Sequence, residues 1–146
     1  MESEPKRSGD EEFTLVYPKH KFSPKDLLLF VEMKGFSADL EDLSLTVEDL
    51  SVCQLIIMTD PPGCGEIPDT GGLRYVAMSR RKAPKGQPKT VYVYYAYFEE
   101  YGVALLVFAS SAPIEFSNEQ REAIALTLAE QSVQFSNGPV RFKNNP

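Results

Sequence analysis

No apolar run in this chain approaches the roughly 20 residues that a membrane-spanning helix requires. Its first residues, MESEPKRSGDEEF, are charged where a secretory signal carries a hydrophobic stretch. Both absences point to a cytosolic protein without membrane contact. Cysteine is scarce. Cys53 and Cys64 supply neither a disulfide framework nor the four ligands with paired spacing of a structural metal site, so one buried thiol and one loop thiol are expected, and no metal or other cofactor. His20, the single histidine, lies in a polar segment with no carboxylate or cysteine beside it, which argues against a catalytic role.

What is present suits a single domain: 146 residues, 42% of them hydrophobic and 11% aromatic, suffice for an independent core. The net charge of −6 argues against a broad nucleic-acid surface. Charge is unevenly spread, however. Arg74, Arg80, Arg81, Lys82, Lys85 and Lys89 fall between residues 70 and 98, where no acid occurs; the other nine basic residues share the rest of the chain with all 21 acids. A local basic segment in an acidic protein suits contact with phosphates or an acidic partner, or simply a hairpin kept soluble by lysines.

Patterning gives the order of elements. Residues 1–22 read as a flexible polar leader, 23–135 as one α+β domain and 136–146 as a flexible tail. Leu27 to Met33, bounded by Pro24 and Gly35, predicts a first strand. Phe36, Leu40 and Leu43 recur at helical spacing; Thr46 and Asp49 form a capping-box pattern opening a second helix in which Leu50, Leu55 and Met58 share a face. Pro61, Pro62 and Gly63 stop that helix. Strands follow at Leu73–Met78, Thr90–Phe98 and Val103–Ser110, the last two joined by a turn at Glu99–Gly102. Alternation sets Val91, Val93, Tyr95 and Tyr97 against Tyr92, Tyr94, Ala96 and Phe98; with both faces apolar or aromatic, this strand is expected at the centre of the sheet. RRKAPKGQPK, residues 80–89, has the composition of a mobile loop. Ser117 and Gln120 cap a closing helix with Ile124, Ala125 and Leu128 as its apolar stripe.

The run LTVEDLSVCQLIIMTDP leading into GEIPDTGGLR, then YAYFEEYGVALLVFA and FSNEQREAIALTLAE, resembles in order and spacing the HigB-like branch of the RelE/ParE toxin superfamily, the ribonuclease halves of bacterial toxin–antitoxin pairs. The resemblance spans about Phe30 to Ala129. It implies a RelE-like fold: a strand, two N-terminal helices packed on an antiparallel meander sheet, and a closing helix. It also implies metal-independent cleavage of messenger RNA on the ribosome, restrained by an antitoxin protein. In such cleavage a group helps deprotonate the ribose 2′-hydroxyl while several cations stabilise the phosphorane.

Carried over by position, Arg74 keeps the arginine of the family's G-L-R-K-L-R. Its lysine falls on Tyr75 and its second arginine on Ala77. The family's G-K-x-G-G-x-R-V places a lysine on Gln87 and an arginine on Tyr92, and its Y-x-K-N falls on Phe108 to Ser111. The catalytic candidates are therefore Arg74, Tyr92 and Tyr94, the tyrosines as acid, base or stacking groups. The RNA-binding candidates are Arg80, Arg81, Lys82, Lys85 and Lys89. Arg74 alternatively anchors the GGL turn through backbone carbonyls. Two functions follow: a ribosome-associated mRNA endonuclease, or a relative that keeps the fold as a protein- or RNA-binding module without cleavage. Both require a platform paired without parallel strands, with an electropositive cupped surface.

Overall fold

The structure, a computed structural model, describes residues 13–15, 20–22, 27–63 and 65–137. Strands β1 (Phe13–Leu15) and β2 (His20–Phe22) pair antiparallel, Phe13 opposite Phe22. Otherwise the expected leader lies outside the described residues, as do Cys64 and the tail beyond Asn137. The main sheet is built from β3 (Leu29–Glu32), β4 (Leu73–Ser79), β5 (Thr90–Phe98) and β6 (Val103–Ser110), with α1 (Lys34–Asp42), α2 (Val47–Thr59) and α3 (Asn118–Ser136) around it. The fold is α+β.

The sheet runs β3-β6-β5-β4. β4, β5 and β6 form the expected antiparallel meander. The requirement that no strands pair in parallel is overturned, because β3 runs parallel to β6, Leu29 opposite Val103 and Glu32 opposite Leu106. Two helices and two strands separate β3 from β6, and a connection of that length leaves strand direction unconstrained where a tight hairpin would force it antiparallel.

α2 and α3 start where their caps dictate. Thr46 Oγ1 accepts the Asp49 N–H at 3.0 Å and Asp49 Oδ2 accepts the Thr46 N–H at 3.1 Å. Ser117 and Gln120 make the same reciprocal pair at α3. In α2 the deeply buried residues are Cys53 and Ile57, with Leu50 packed beside them, instead of the expected Leu50–Leu55–Met58 face; a helix apolar nearly all round has no single stripe for periodicity to select. Burial pushes the Cys53 thiol up to about 12. The helix ends as the prolines require, and Tyr95 then donates its hydroxyl to the Pro61 carbonyl at 2.6 Å.

α1 and α2 cover one face of the sheet, with Phe36, Cys53 and Ile57 against Met78, Val91, Val93, Tyr95, Ala104 and Leu106. α3 covers part of the other, with Leu128 and Phe135 against Leu73, Ala96, Val103 and Leu105. Strict alternation breaks once. Tyr94 faces Phe108 and Tyr95 faces Leu106, so Val107 is the extra residue of a β-bulge. Val107 and its neighbour Phe108 then both join the α3 layer, while Ala109 returns to the α2 layer.

The turn into β4 is built for close approach. Thr70 is buried, accepts the Leu73 N–H and donates to the Ile67 carbonyl at 2.6 Å. Gly71 adopts φ +73°, and a Cβ there would lie 3.0 Å from Ala125 Cα of α3, so only glycine fits.

Candidate functional site

Alternation along β4 separates the residues that the sequence placed together. Arg74 shares its face with Val76, Met78 and Arg80, toward α2, whereas Tyr75 and Ala77 face the α3 side with Tyr92 and Tyr94. The expected catalytic set Arg74, Tyr92 and Tyr94 is therefore divided between opposite faces. Arg74 donates from Nη1 to the Pro62 carbonyl at 2.6 Å and from Nη2 to Glu66 Oε2 at 3.3 Å. It ties the end of α2 to the strand, the structural role that the sequence left open. Its charge also opposes the upward shift of the Tyr97 hydroxyl, which burial and Glu99 impose.

Tyr94 is only 1% exposed. Its ring lies 4.9 Å from that of Phe108 and 5.7 Å from that of Phe116, and its hydroxyl accepts the Ile114 N–H at 2.8 Å. A buried hydroxyl holding a backbone N–H organises the connection between β6 and α3 and is closed to substrate, so Tyr94 is corrected from catalytic candidate to structural residue. Tyr92 stays half-exposed, 6.2 Å from the ring of Tyr75. Tyr75, 38% exposed, was missed as a candidate; its signal was its place two residues before Ala77 on a strand whose next neighbour bears tyrosines.

Positions 75, 77, 92 and 110 meet on this open part of the sheet: Tyr75 pairs with Tyr94, Ala77 with Tyr92, and Tyr92 with Ser110. None of the strand residues on this side is charged: Leu73, Tyr75, Ala77 and Ser79 of β4; Thr90, Tyr92, Tyr94, Ala96 and Phe98 of β5; Val103, Leu105, Val107, Phe108 and Ser110 of β6; Leu29 and Val31 of β3. The expectation of an electropositive surface is overturned here.

The basic loop divides as well. Arg80, expected to meet RNA, is 2% exposed. Its guanidinium donates to the carbonyls of Leu43 at 3.2 Å, Ser44 at 3.1 Å and Pro88, and lies 3.6 Å from Asp49 Oδ2. Gln87 reaches the Asp42 carbonyl and Ser44 Oγ. The segment expected to be mobile is thus pinned at both ends to the corner between α1 and α2. Arg81, Lys82, Lys85 and Lys89 remain exposed.

Between this arm and the start of α2 opens a cavity of about 920 Å³. Glu48 and Asp49 line one wall, Arg80, Arg81, Lys82 and Lys89 the other, and Val52 and Met78 the apolar floor. The acids of this site went unread in the sequence, where Asp49 signalled only a helix cap. The acidic first helix likewise has a structural use at Asp39, whose Oδ2 accepts the Ala109 N–H at 2.9 Å. Among the described residues no helix is long and apolar enough to cross a membrane, and no group of three or more His, Cys, Asp or Glu gathers. No family model matches the chain, and no curated protein matches it.

Proposed function

We propose that this chain binds single-stranded RNA without cutting it, on the uncharged aromatic side of its sheet instead of the electropositive antiparallel platform that the RelE resemblance requires. The observation that carries this reading is the uncharged open part of the sheet at positions 75, 77, 92 and 110, where the resemblance calls for cations. The order of elements agrees with the resemblance, in a strand, two helices, an antiparallel meander and a closing helix, but the pairing of the first strand does not. β3 then joins the edge of the meander in parallel.

Cleavage by the ribose 2′-hydroxyl needs positive charge at the phosphorane, and losing one such group commonly costs about 10²- to 10³-fold in rate. Here Arg74 lies on the other face, held by Pro62 and Glu66. Binding makes smaller demands. Tyr75 and Tyr92 offer rings on which bases stack irrespective of sequence. Arg81 and Lys82 follow β4 directly and Lys89 precedes β5, so phosphate-binding cations leave the sheet at the end where Ala77 and Tyr92 pair.

Fluorescence anisotropy with a single-stranded oligoribonucleotide, together with gel analysis of the same RNA and of messenger on programmed ribosomes, tests the reading. Salt-sensitive binding is expected, weakened at least tenfold by Tyr75→Ala with Tyr92→Ala, and the RNA should remain intact. Cleavage that depends on Tyr92 would restore the endonuclease, with its antitoxin; absence of RNA binding would refute the proposal outright.

A further inference from the structure

We infer that the cavity between the first turn of α2 and the arm from Arg80 to Lys89 is a site for one nucleoside phosphomonoester, either a free mononucleotide or the 5′-phosphorylated end of an RNA strand. The inference rests on the RNA reading only for the phosphate-facing role of Arg81, Lys82 and Lys89. At about 920 Å³ the cavity has the size of small-ligand sites, and its walls divide into three chemistries.

Four cations and two carboxylates line it, an excess of two positive charges that matches the dianion of a phosphomonoester better than the single charge of an internal phosphodiester. Arg80 strengthens this wall from within. Its buried guanidinium, paired with Asp49 at 3.6 Å and donating to the carbonyls of Leu43, Ser44 and Pro88, fixes the root of the arm that carries Lys82 and Lys89, while its Nε keeps one donor without a hydrogen-bond partner. Val52 and Met78 supply an apolar floor for a base. Glu48, in the first turn of α2 and outside the capping pair of Thr46 and Asp49, offers an acceptor for ribose hydroxyls. An inorganic anion would use only the first of these walls, and an unphosphorylated nucleoside only the other two.

The test is calorimetric titration of the full chain with adenosine 5′-monophosphate, adenosine and inorganic phosphate, beside RNA oligomers carrying a 5′-phosphate or a 5′-hydroxyl. Adenosine 5′-monophosphate should bind at least tenfold more tightly than either fragment. Val52→Trp, which fills the floor, and Lys82→Glu with Lys89→Glu, which reverses exposed charge without touching the core, should each weaken it roughly tenfold or more; Tyr75→Ala with Tyr92→Ala should leave it unchanged. Preference for the 5′-phosphorylated oligomer identifies an RNA end as the ligand source, and equal oligomer binding alongside tight mononucleotide binding identifies the free nucleotide. No binding of adenosine 5′-monophosphate at millimolar concentration, or binding indifferent to the charge reversal, overturns the inference. If RNA binding then still depends on the tyrosines, the RNA reading survives alone.

Discussion

On the side of the sheet packed by α1 and α2, the strand β4 carries Arg74, continues into Arg80, and both guanidiniums are drawn onto backbone carbonyls. On the side packed by α3 the strands carry no charge and leave Tyr75 and Tyr92 partly in solvent. The same strand thus provides cations to one face and aromatics to the other. The comparison teaches that a basic residue beside a suggestive motif need not be available for chemistry. A guanidinium offers five donors in a fixed fork, so a corner rich in unpaired carbonyls competes for it with any phosphate.

The comparison breaks most readily at Arg80. Arg80→Ala leaves the carbonyls of Leu43, Ser44 and Pro88 without their donor and the Asp49 carboxylate without its cation, and should cost about 3 kcal/mol in denaturant unfolding. It should also expose Lys82 and Lys85 to faster tryptic cleavage. Gly71→Val attacks the other face: a β-branched side chain at φ +73° against Ala125 Cα should cost about 2 kcal/mol, while leaving the Arg80 arm protected from trypsin. Asp39→Ala orphans the Ala109 N–H and should cost about 1 kcal/mol.

Cys53 sharpens the contrast through pH. Its thiol is pushed up to about 12 by burial, whereas an unfolded cysteine titrates near 8.5, so the folded state holds the proton more tightly. The stabilisation is complete below about pH 8.5 and is lost as pH climbs from there toward 12. The stability of wild type should therefore decline across that window more steeply than that of Cys53→Ala, and at neutral pH the thiol should resist iodoacetamide until the protein unfolds. The smallest change is expected at Tyr75→Ser, which should move stability by no more than about 0.5 kcal/mol while weakening RNA binding. A large loss of stability there would show that the ring is structural after all.

Local chemistry made much of the fold legible. Both capping boxes are i, i+3 patterns complete within four residues, and β5 and β6 run between the residues that their alternation and the Glu99–Gly102 turn marked. Pairing with a distant strand was not legible, because nothing local to Leu29–Glu32 names β6 as partner. Nor was the Val107 bulge, which is a property of two strands in register. For the site, the alternation of β4 already placed Arg74 with Val76 and Met78. What was missing was the register that set Tyr75 opposite Tyr94, without which a shared face with Tyr92 could not be judged. Arg80 lay hidden because its partners, Leu43 and Ser44, are remote in sequence and act through carbonyls that every residue possesses.

The doubled step at Val107 makes β6 behave like a printed line with one extra letter. Upstream of it odd-numbered residues look toward α3; downstream the even ones do, which is how Phe108 comes to underlie Tyr94 and how Ser110 comes to stand beside Tyr92. Removing Val107 alone would restore simple parity while leaving every following side chain on its present face, Phe108 toward α3 and Ala109 toward α1 and α2. A single deleted codon would thus straighten the strand and leave the picture on its open side as it was.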